Sequence, residues 1–427
     1  MKEQLNNICF EFDGEQYNVP ISAPWELYMG IPRQAAFYGK DINRENTPPY
    51  FILHLTQRCN LRCRYCFEGV KGTRDITKET VNAWIEYIKR EGHKQFSVRF
   101  FGGEPTLRID LIRYILEQVN KCFPAKAGYE VSYNIFTNAV YLSEELLQLV
   151  KENHIGCFVS MDGCREIHDT NRIYPNGKGS YAAVLENAKR LQKESDSRII
   201  IRAVYDVNKN ITLLDIVEEC CKNGFDMISI ELPWVEDTSS IALNEEKQDM
   251  IKKMIQEYAH ECVNRIYRND YSLLSLYEIF KHISKVSFNV PILYTDACSA
   301  GKTAMAIDVD GSIYPCHSFV GNEEYLLGNV TDGILNKKLK EKFEGYTCET
   351  LPDCRDCAIR YYCTKRCFAD SLWFNKSVTA VNPFRCEIEK EYFKAAMYIY
   401  GKIKEDEERL IKTRLMIWQF QYMDQYK

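Results

Sequence analysis

Residues 51–66 of the chain read FILHLTQRCNLRCRYC. The first five residues form a short apolar run typical of a buried strand, and Cys59, Cys63 and Cys66 follow it. Three thiolates within eight residues suit one metal centre, and the loop after a strand is where a barrel-like fold places its chemistry. A structural zinc knuckle is the alternative interpretation. It requires a fourth Cys or His nearby, and none follows promptly.

A βα rhythm begins at this stretch. Amphipathic helical segments lie at 77–91, 109–121, 143–152, 180–193 and 212–223, between strand candidates at 51–55, 96–101, 129–136, 157–161, 198–205 and 227–232. Strands that alternate with helices indicate βαβ units and a parallel sheet. Six such units are too few to close an eight-stranded barrel. The sequence therefore predicts an α/β fold, a partial (β/α)6 TIM barrel with its active site at the carboxyl ends of the strands.

The segments on either side of this alternation of strands and helices have different sequence patterns. Residues 7–22 alternate around Asp13-Gly14 and predict a hairpin. Residues 243–285 and 388–420 have a helical, charged pattern. We expect five regions, namely 1–48 (hairpin cap and linker), 49–240 (partial barrel), 241–290 (helical linker), 291–388 (cysteine-rich domain) and 389–427 (C-terminal helix).

The bulk properties exclude several classes of protein. The 427 residues carry a net charge of −5. A protein that binds a polyanion such as nucleic acid usually has an excess of positive charge, and this chain has none. No uncharged apolar run reaches the ~18 residues that a membrane span needs. The polar start lacks the apolar core of a signal peptide. We therefore expect a cytoplasmic protein that binds neither nucleic acid nor membrane.

Eighteen cysteines are unusual for such a chain. In a long chain without a secretion signal, clustered cysteines indicate metal binding rather than disulfides. Seven are scattered and are expected to be small buried apolar residues; they include Cys9, Cys122, Cys157, Cys164 and Cys262. Eight others form a second cluster, made of Cys298, Cys316, Cys348, Cys354, Cys357, Cys363, Cys367 and Cys386. A zinc ribbon is the structural alternative, but the spacing of these eight fits it poorly.

Further motifs follow successive strands in a fixed order. The second strand is followed by Gly102-Gly103-Glu104-Pro105, the third by Asn138, and the fourth by Ser160 and Asp162, with Arg172 shortly after. Each is weak alone, because a glycine pair or Asp-Gly is often only a turn. Together with Cys-x3-Cys-x2-Cys they resemble the signature of the radical S-adenosylmethionine (SAM) superfamily.

This resemblance implies a [4Fe–4S] cluster on Cys59, Cys63 and Cys66, with one iron open to SAM. It implies that the Gly-Gly-Glu-Pro backbone receives the amino group of SAM, that Ser160 and Asp162 approach its ribose and carboxylate, and that Arg172 pairs with the carboxylate. Tyr65 takes the position beside the adenine. It also implies an external electron donor of the flavodoxin or ferredoxin type. Electron transfer then cleaves SAM to a 5′-deoxyadenosyl radical.

The second cluster resembles the SPASM extension of peptide-modifying members of this superfamily. That extension carries two auxiliary clusters, which makes three [4Fe–4S] clusters in all. By this resemblance Cys298, Cys316 and Cys367 bind an inner cluster, and an outer one is held by Cys354, Cys357, Cys363 and Cys386. The fourth inner ligand is either Cys348 or a position left open to a substrate thiolate.

The expected substrate is a ribosomal precursor peptide. Radical sulfatase maturases place an aspartate after the cysteine that corresponds to Cys316, whereas this chain has His317. Residues 314–320 look more like thioether-forming maturases of cysteine-rich peptides, the SCIFF or ranthipeptide type. His317 is a candidate base or hydrogen-bond partner, or simply a structural histidine.

Other activities stay open beside thioether formation. They are carbon–carbon or ether crosslinking, oxidation of a serine or cysteine as in sulfatase maturation, and non-catalytic electron transfer. Residues 1–48 are too short for a complete leader-binding winged helix. We therefore expect leader binding to be reduced, to be supplied in trans, or to use an exposed strand edge.

Overall fold

A computed structural model describes residues 7–12, 15–20, 48–69, 71–234, 239, 241–287, 298–360, 362–363 and 366–422. The strands of this part of the chain are β1 Asn7–Phe12, β2 Glu15–Pro20, β3 Tyr50–His54, β4 Gln95–Phe101, β5 Glu130–Thr137, β6 Gly156–Ser160, β7 Ile199–Val204, β8 Ile228–Glu231, β9 Ala304–Ile307, β10 Ser312–Tyr314, β11 Gly328–Asn329 and β12 Gly333–Ile334.

Its α-helices are α1 Lys78–Glu91, α2 Ile109–Cys122, α3 Glu144–Glu152, α4 Arg165–Asn171, α5 Tyr181–Glu194, α6 Leu213–Lys222, α7 Glu245–Tyr267, α8 Tyr277–Ser287, α9 Lys337–Gly345, α10 Pro352–Arg355, α11 Phe368–Asn375, α12 Pro383–Ile403 and α13 Glu407–Tyr422. Within the described residues, none of the helices is both long enough and apolar enough to cross a membrane.

Strands β3 to β8 lie side by side and parallel, in chain order, with helices between them. This confirms the predicted α/β partial barrel and its six strands, each within two residues of the expected bounds. The described strands leave the sheet open, because β8 and β12 are its two edges.

The cysteine-rich region continues the same sheet. Strand β9 pairs in parallel with β3, from Tyr50 opposite Ala304 to Leu53 opposite Ile307, and β10 to β12 follow in antiparallel order. The sequence analysis did not foresee this extension, because pairing between strands so far apart in the chain leaves no local pattern. The division of the chain into five regions stays a prediction.

Residues along β4 alternate between the face of the sheet that the helices cover and the face inside the partial barrel. Phe96, Val98 and Phe100 are buried among the helices, whereas Arg99 and Phe101 on the other face are half-buried. On the helix side, the ring of Trp84 in α1 meets the ring of Phe51 edge-on at 6.0 Å between centroids. The helices therefore cover one face, and the interior of the partial barrel retains polar side chains.

The terminal segments form a layer on the helices. The predicted hairpin is present as the antiparallel pair β1–β2, and its turn at Asp13-Gly14 lies outside the described residues. Phe12 of β1 contacts Tyr398 of α12, with 4.9 Å between ring centroids. The helical stretch expected at 243–285 is two helices, α7 and α8, and that at 388–420 is α12 and α13.

The scattered cysteines match the expectation of small buried residues in part. Cys157, Cys220 and Cys262 are buried, while Cys122, Cys164 and Cys221 are half-buried. The side chain of Cys9 lies outside the described residues.

Candidate functional site

Two glycines hold the first cysteine loop against the end of β4. The backbone N–H of Gly103 donates to Thr56 O at 2.8 Å, and that of Glu104 donates to Arg58 O at 2.8 Å. A Cβ on Gly102 would lie 2.4 Å from Thr56 O, and one on Gly103 would lie 2.2 Å from Arg58 O. Only glycine permits this approach, which fixes the strand-to-loop junction just before Cys59.

Glu104 ties the end of β4 to the end of β5. Its side chain is buried and accepts hydrogen bonds from Thr137 Oγ1 at 2.7 Å, from Asn138 N at 2.7 Å and from Thr106 Oγ1 at 2.8 Å. Burial raises the pKa of Glu104, although these donors oppose the rise. Pro105 next to it is buried and opens a short 3-10 helix, Pro105–Arg108. Glu104 therefore supports the neighbouring strand end in this structure.

Asn138 lies directly against the first cysteine loop. Its Nδ2 donates to Asn60 Oδ1 at 2.7 Å and lies 3.8 Å from Cys59 Sγ, while its Oδ1 accepts from Val140 N at 3.0 Å. The structure thus brings the residue predicted after the third strand to the cysteines predicted after the first.

Asp162, Arg172 and Tyr65 form one buried network. Arg172 donates from Nε and Nη2 to the two carboxylate oxygens of Asp162, at 3.1 and 3.0 Å, and Tyr65 donates its hydroxyl to the same carboxylate. The N–H of Val204 on β7 donates to Asp162 Oδ1 at 2.9 Å. The carboxylate paired with Arg172 in this structure is that of Asp162. Ser160 ends β6, half-buried, immediately before this network.

His168, which the sequence analysis passed over, supports this network. Its Nδ1 accepts from Asp162 N at 3.3 Å, and its Nε2 lies 2.9 Å from Ser180 Oγ, which donates to Arg172 O at 2.8 Å. Burial lowers the pKa of His168 to about 4. A neutral imidazole can accept at one nitrogen while donating at the other. The only signal in the sequence was its place in the stretch that leads to Arg172.

The three cysteines of the first loop are half-buried on the same strand-end edge. Burial raises the pKa of Cys59 to about 12, whereas Arg172 partly offsets the rise at Cys63. Lys71 Nζ lies 2.9 Å from Cys66 Sγ. Two cations beside three sulfurs suit a thiolate-bound cluster, because they compensate its negative charge.

The described side chains contain no group of three or more His, Cys, Asp or Glu spaced around a single metal ion. A cubane cluster takes each thiolate on a different iron, so its ligands need not meet around one point. The residue types present in the loop therefore fit a cluster rather than a mononuclear site. That these three cysteines are its ligands stays a prediction.

The inner group of the second cluster is half-buried, in the part of the sheet that lies beyond β3. Cys298, Cys316 and Cys367 pack with Phe319 and Phe368 in one core. After burial, the neighbouring thiols Cys298 and Cys316 are the largest causes of the raised pKa of Cys367. The three sulfurs are therefore mutual neighbours, and that they bind one cluster stays a prediction.

The outer group lines a cavity of about 390 Å³, with Cys348 among its walls. The four predicted outer cysteines are all present there, namely Cys354, Cys357, Cys363 and Cys386. Arg366 Nη1 lies 2.6 Å from Cys354 Sγ. Cys367 of the inner group also lines this cavity. Among the cysteines, Cys354 of the outer group is the one whose thiol acts electrostatically on Cys348, which places Cys348 nearer to the outer group. The fourth ligand of the inner group stays a prediction.

His317 stands between the first loop and the inner group. Its ring lies 4.7 Å from that of Phe101, 5.5 Å from Phe67 and 6.0 Å from Trp234, measured between centroids. Phe67 directly follows Cys66, and His317 directly follows Cys316. Burial lowers the pKa of His317 to about 3. The imidazole is therefore neutral, in an aromatic enclosure between the two sets of sulfurs.

Charged side chains on inward-facing strand positions complete the interior. The Arg99 guanidinium lies over the ring of Tyr50, 3.5 Å from its centroid, and Arg202 Nη2 lies 3.4 Å from Glu231 Oε1. The sequence analysis missed them. A charged residue at an inward position of a strand flanked by buried neighbours was the available signal.

Comparison with known proteins decides the family. The family model of the Radical SAM superfamily matches residues 53–220. The model of SPASM, an iron-sulfur cluster-binding domain, matches residues 298–358. The chain is a radical SAM enzyme with a SPASM domain. The cofactors of such an enzyme are SAM and iron–sulfur clusters, as the sequence analysis expected.

Relatives of this radical SAM enzyme are distant. A protein of Methanocaldococcus jannaschii is 33% identical over 184 residues, which span 43% of this chain and 62% of that protein. A cysteine-type anaerobic sulfatase-maturating enzyme of Clostridium novyi is 26% identical over 332 residues, 70% of this chain and 84% of the relative. The radical SAM cyclopropyl synthase TigE of Paramaledivibacter caminithermalis is 21% identical over 338 residues, 74% of this chain and 66% of the synthase.

Solved structures share the fold of this radical SAM enzyme. Native anSMEcpe with bound AdoMet has a TM-score of 0.69 at 20% identity, over 86% of this chain and 100% of that one. Streptococcus suis SuiB bound to its precursor peptide SuiA has a TM-score of 0.52 at 17% identity, over 86% of this chain and 83% of SuiB. At these identities the likeness concerns the fold alone.

Proposed function

We propose that this radical SAM enzyme joins a cysteine sulfur to a carbon of another residue, as a thioether, in a ribosomally made cysteine-rich peptide. The observation that carries the proposal is the inner group, which has three cysteines while Cys348 lies nearer to the outer group. A cluster held there by three cysteines would leave one iron for a substrate thiolate, and thiolates are good ligands for iron–sulfur centres. His317 and its aromatic enclosure stand between this position and the first loop.

In this proposal Cys59, Cys63 and Cys66 hold the cluster that binds SAM, and Gly102, Gly103, Asn138, Ser160, Asp162, Arg172 and Tyr65 surround it. When bound, the reduced cluster and SAM supply a radical that removes a hydrogen atom from the substrate. Phe67, Phe101 and Trp234 exclude water from the space around His317. Aromatic walls protect a reactive carbon centre from side reactions.

His317 acts in this proposal by position. It faces the enclosed space, and an uncharged imidazole can accept a hydrogen bond from a thiol or hydroxyl of the peptide. Joining a thiol sulfur to a carbon removes two hydrogens in all. The radical takes a hydrogen atom from the carbon, the thiol loses a proton near this point, and the remaining electron would pass to an auxiliary cluster. His317 is the titratable side chain that directly follows an inner cysteine.

The partners in this proposal are a precursor peptide and an external electron donor of the flavodoxin or ferredoxin type. SuiB, which shares the fold, is a precedent for binding of a precursor peptide. The division of labour among three [4Fe–4S] clusters, one at the first loop and two in the cysteine-rich region, belongs to the same proposal.

Sulfatase maturation is the second candidate function. It is favoured by the relative from Clostridium novyi, whose similarity extends over 70% of this chain. His317, where maturases of that kind carry an aspartate, speaks against it.

A parallel assay separates the two candidates. The anaerobically reconstituted enzyme is given SAM, dithionite and either a cysteine-rich precursor peptide or a sulfatase-derived cysteine peptide. We expect 5′-deoxyadenosine to form, coupled to loss of free thiols only in the cysteine-rich peptide. Coupled turnover of the sulfatase peptide alone would replace the thioether proposal by the second candidate. If SAM is not cleaved in either case, both are rejected.

A further inference from the structure

A second cavity, of about 620 Å³, opens beside His317, between the segment that follows Cys66 and the cysteine-rich region. Three buried side-chain atoms on its walls have no hydrogen-bond partner among the described residues, namely His54 Nε2, Glu68 Oε1 and Asp308 Oδ1. His54 and Asp308 are only 5% and 6% exposed. We name this space the acceptor cavity, because carboxylate oxygens are prominent among its unpaired atoms.

Three charged side chains that line the acceptor cavity act electrostatically on His54. The carboxylates of Glu68 and Asp308 both act electrostatically on its imidazole, as does the ammonium of Lys71. A buried carboxylate oxygen without a donor is costly, because nothing compensates its loss of hydration. The fold retains two such oxygens on the walls of one cavity, where water or a ligand that enters the cavity must supply the donor.

The cations on the rim are already engaged elsewhere. Lys71 Nζ lies 3.0 Å from Glu68 Oε2 and 2.9 Å from Cys66 Sγ. Arg74 pairs with Asp310 at 3.7 Å, and Lys376 donates to Trp373 O at 3.4 Å. Among the described residues no cation forms an ion pair with Asp308. Its carboxylate therefore remains available to a cation that enters the cavity.

We propose that the acceptor cavity binds a basic side chain, arginine or lysine, of the peptide substrate. This inference rests on the proposed function, because it assumes a peptide. A guanidinium offers five N–H donors and an ammonium three, enough to satisfy Glu68 Oε1 and Asp308 Oδ1 together. The cavity shares His317 and Phe67 with the aromatic enclosure, so the basic residue is a close neighbour of the residue that is modified.

The test uses blocked pentapeptides with cysteine at the second position and arginine, citrulline, lysine or acetyllysine at the fourth. Citrulline and acetyllysine keep the shape of the side chain and remove its charge. Binding is measured by calorimetry on the anaerobically reconstituted holoenzyme with SAM. We expect the charged peptide of at least one pair to bind about tenfold tighter or better, a difference of about 1.4 kcal/mol. Equal affinities within both pairs, or no binding of any peptide, would overturn the inference.

Two substitutions in the same turn sharpen the test. Asp308→Asn keeps the shape of the buried side chain and is expected to abolish the charge preference. Asp310→Asn, whose side chain is 48% exposed, is the matched control and is expected to retain it. A preference that survives Asp308→Asn would show that the cavity is not the binding site. If Asp308→Asn does not fold, Glu68→Gln takes its place with the same expectation.

SAM cleavage in the same preparations separates this inference from the proposed function. Cleavage without a charge preference rejects the acceptor cavity as a cation site and leaves the proposed function standing. Absence of cleavage rejects the proposed function, whatever the peptides bind.

Discussion

The two cysteine-bearing regions of this enzyme are built in opposite ways. The first loop follows one strand and is fixed by backbone hydrogen bonds from Gly103 and Glu104. The inner group consists of Cys298, Cys316 and Cys367, which come from segments far apart in the sequence. Packing in one core brings these three cysteines together. A site made of adjacent residues can be recognised in the sequence by the spacing of a motif. A site made by packing of distant residues has no such spacing, and only its individual residues are visible in the sequence.

The largest effect is expected when the first loop loses its sulfurs. Replacing Cys59, Cys63 and Cys66 by alanine removes the proposed ligands of the SAM-binding cluster and should abolish 5′-deoxyadenosine formation. Iron should fall by about a third, because one of three clusters is lost. Iron analysis and chromatography of the SAM products measure both. Cys122→Ala, at a half-buried cysteine outside both groups, is the control and should change neither. Cleavage by the triple variant would show that the radical starts elsewhere.

Gly103→Ala should come next in size. Its Cβ would meet Arg58 O at 2.2 Å, a backbone atom that cannot move without displacing the cysteine loop. We expect a loss of about 1–3 kcal/mol in the free energy of unfolding and a fall in SAM cleavage of about a hundredfold. Gly345→Ala, where a Cβ meets nothing within 4 Å, serves as the control for denaturation and activity measurements. A fully active Gly103→Ala protein would break the claim that backbone contacts position the first loop.

His168 predicts a pH dependence of stability. Burial holds its pKa at about 4, below the 6.5 of an exposed histidine, so the unfolded chain takes up the proton first. The free energy of unfolding should therefore fall as the pH drops from 6.5 towards 4, by at most about 3 kcal/mol from this residue. Urea denaturation of His168→Gln under anaerobic conditions should show a lower stability at neutral pH and a shallower acid slope. An unchanged slope would assign the acid sensitivity to other groups.

The smallest effect is expected at Cys348, and it tests the inner group. Because Cys348 lies nearer to the outer cysteines, Cys348→Ala should retain the electron paramagnetic resonance signal of the inner cluster. Cys316→Ala is the comparison and should lose that signal. Should Cys348→Ala lose it as well, Cys348 would be the fourth inner ligand and no position would be open to a substrate sulfur.

Local patterns in the sequence were sufficient to predict the six parallel strands and the order of the motifs that follow them. Strand periodicity and loop residues depend on neighbours in the chain, so they can be read without a structure. The pairing of β9 with β3, the place of Cys348, and the ion pair of Arg172 with Asp162 could not be read this way. These depend on which distant segments pack together. The unpaired atoms of His54 and Asp308 likewise became visible only through burial.

The product itself tests the central claim most directly. A cysteine-rich precursor peptide from the same genome is co-expressed with the enzyme, alkylated, and sequenced by tandem mass spectrometry. The proposal predicts a loss of two hydrogens for each crosslink, cysteines that resist alkylation, and a fragmentation pattern that locates a bond from sulfur to carbon. An unchanged mass with every cysteine alkylated would contradict it.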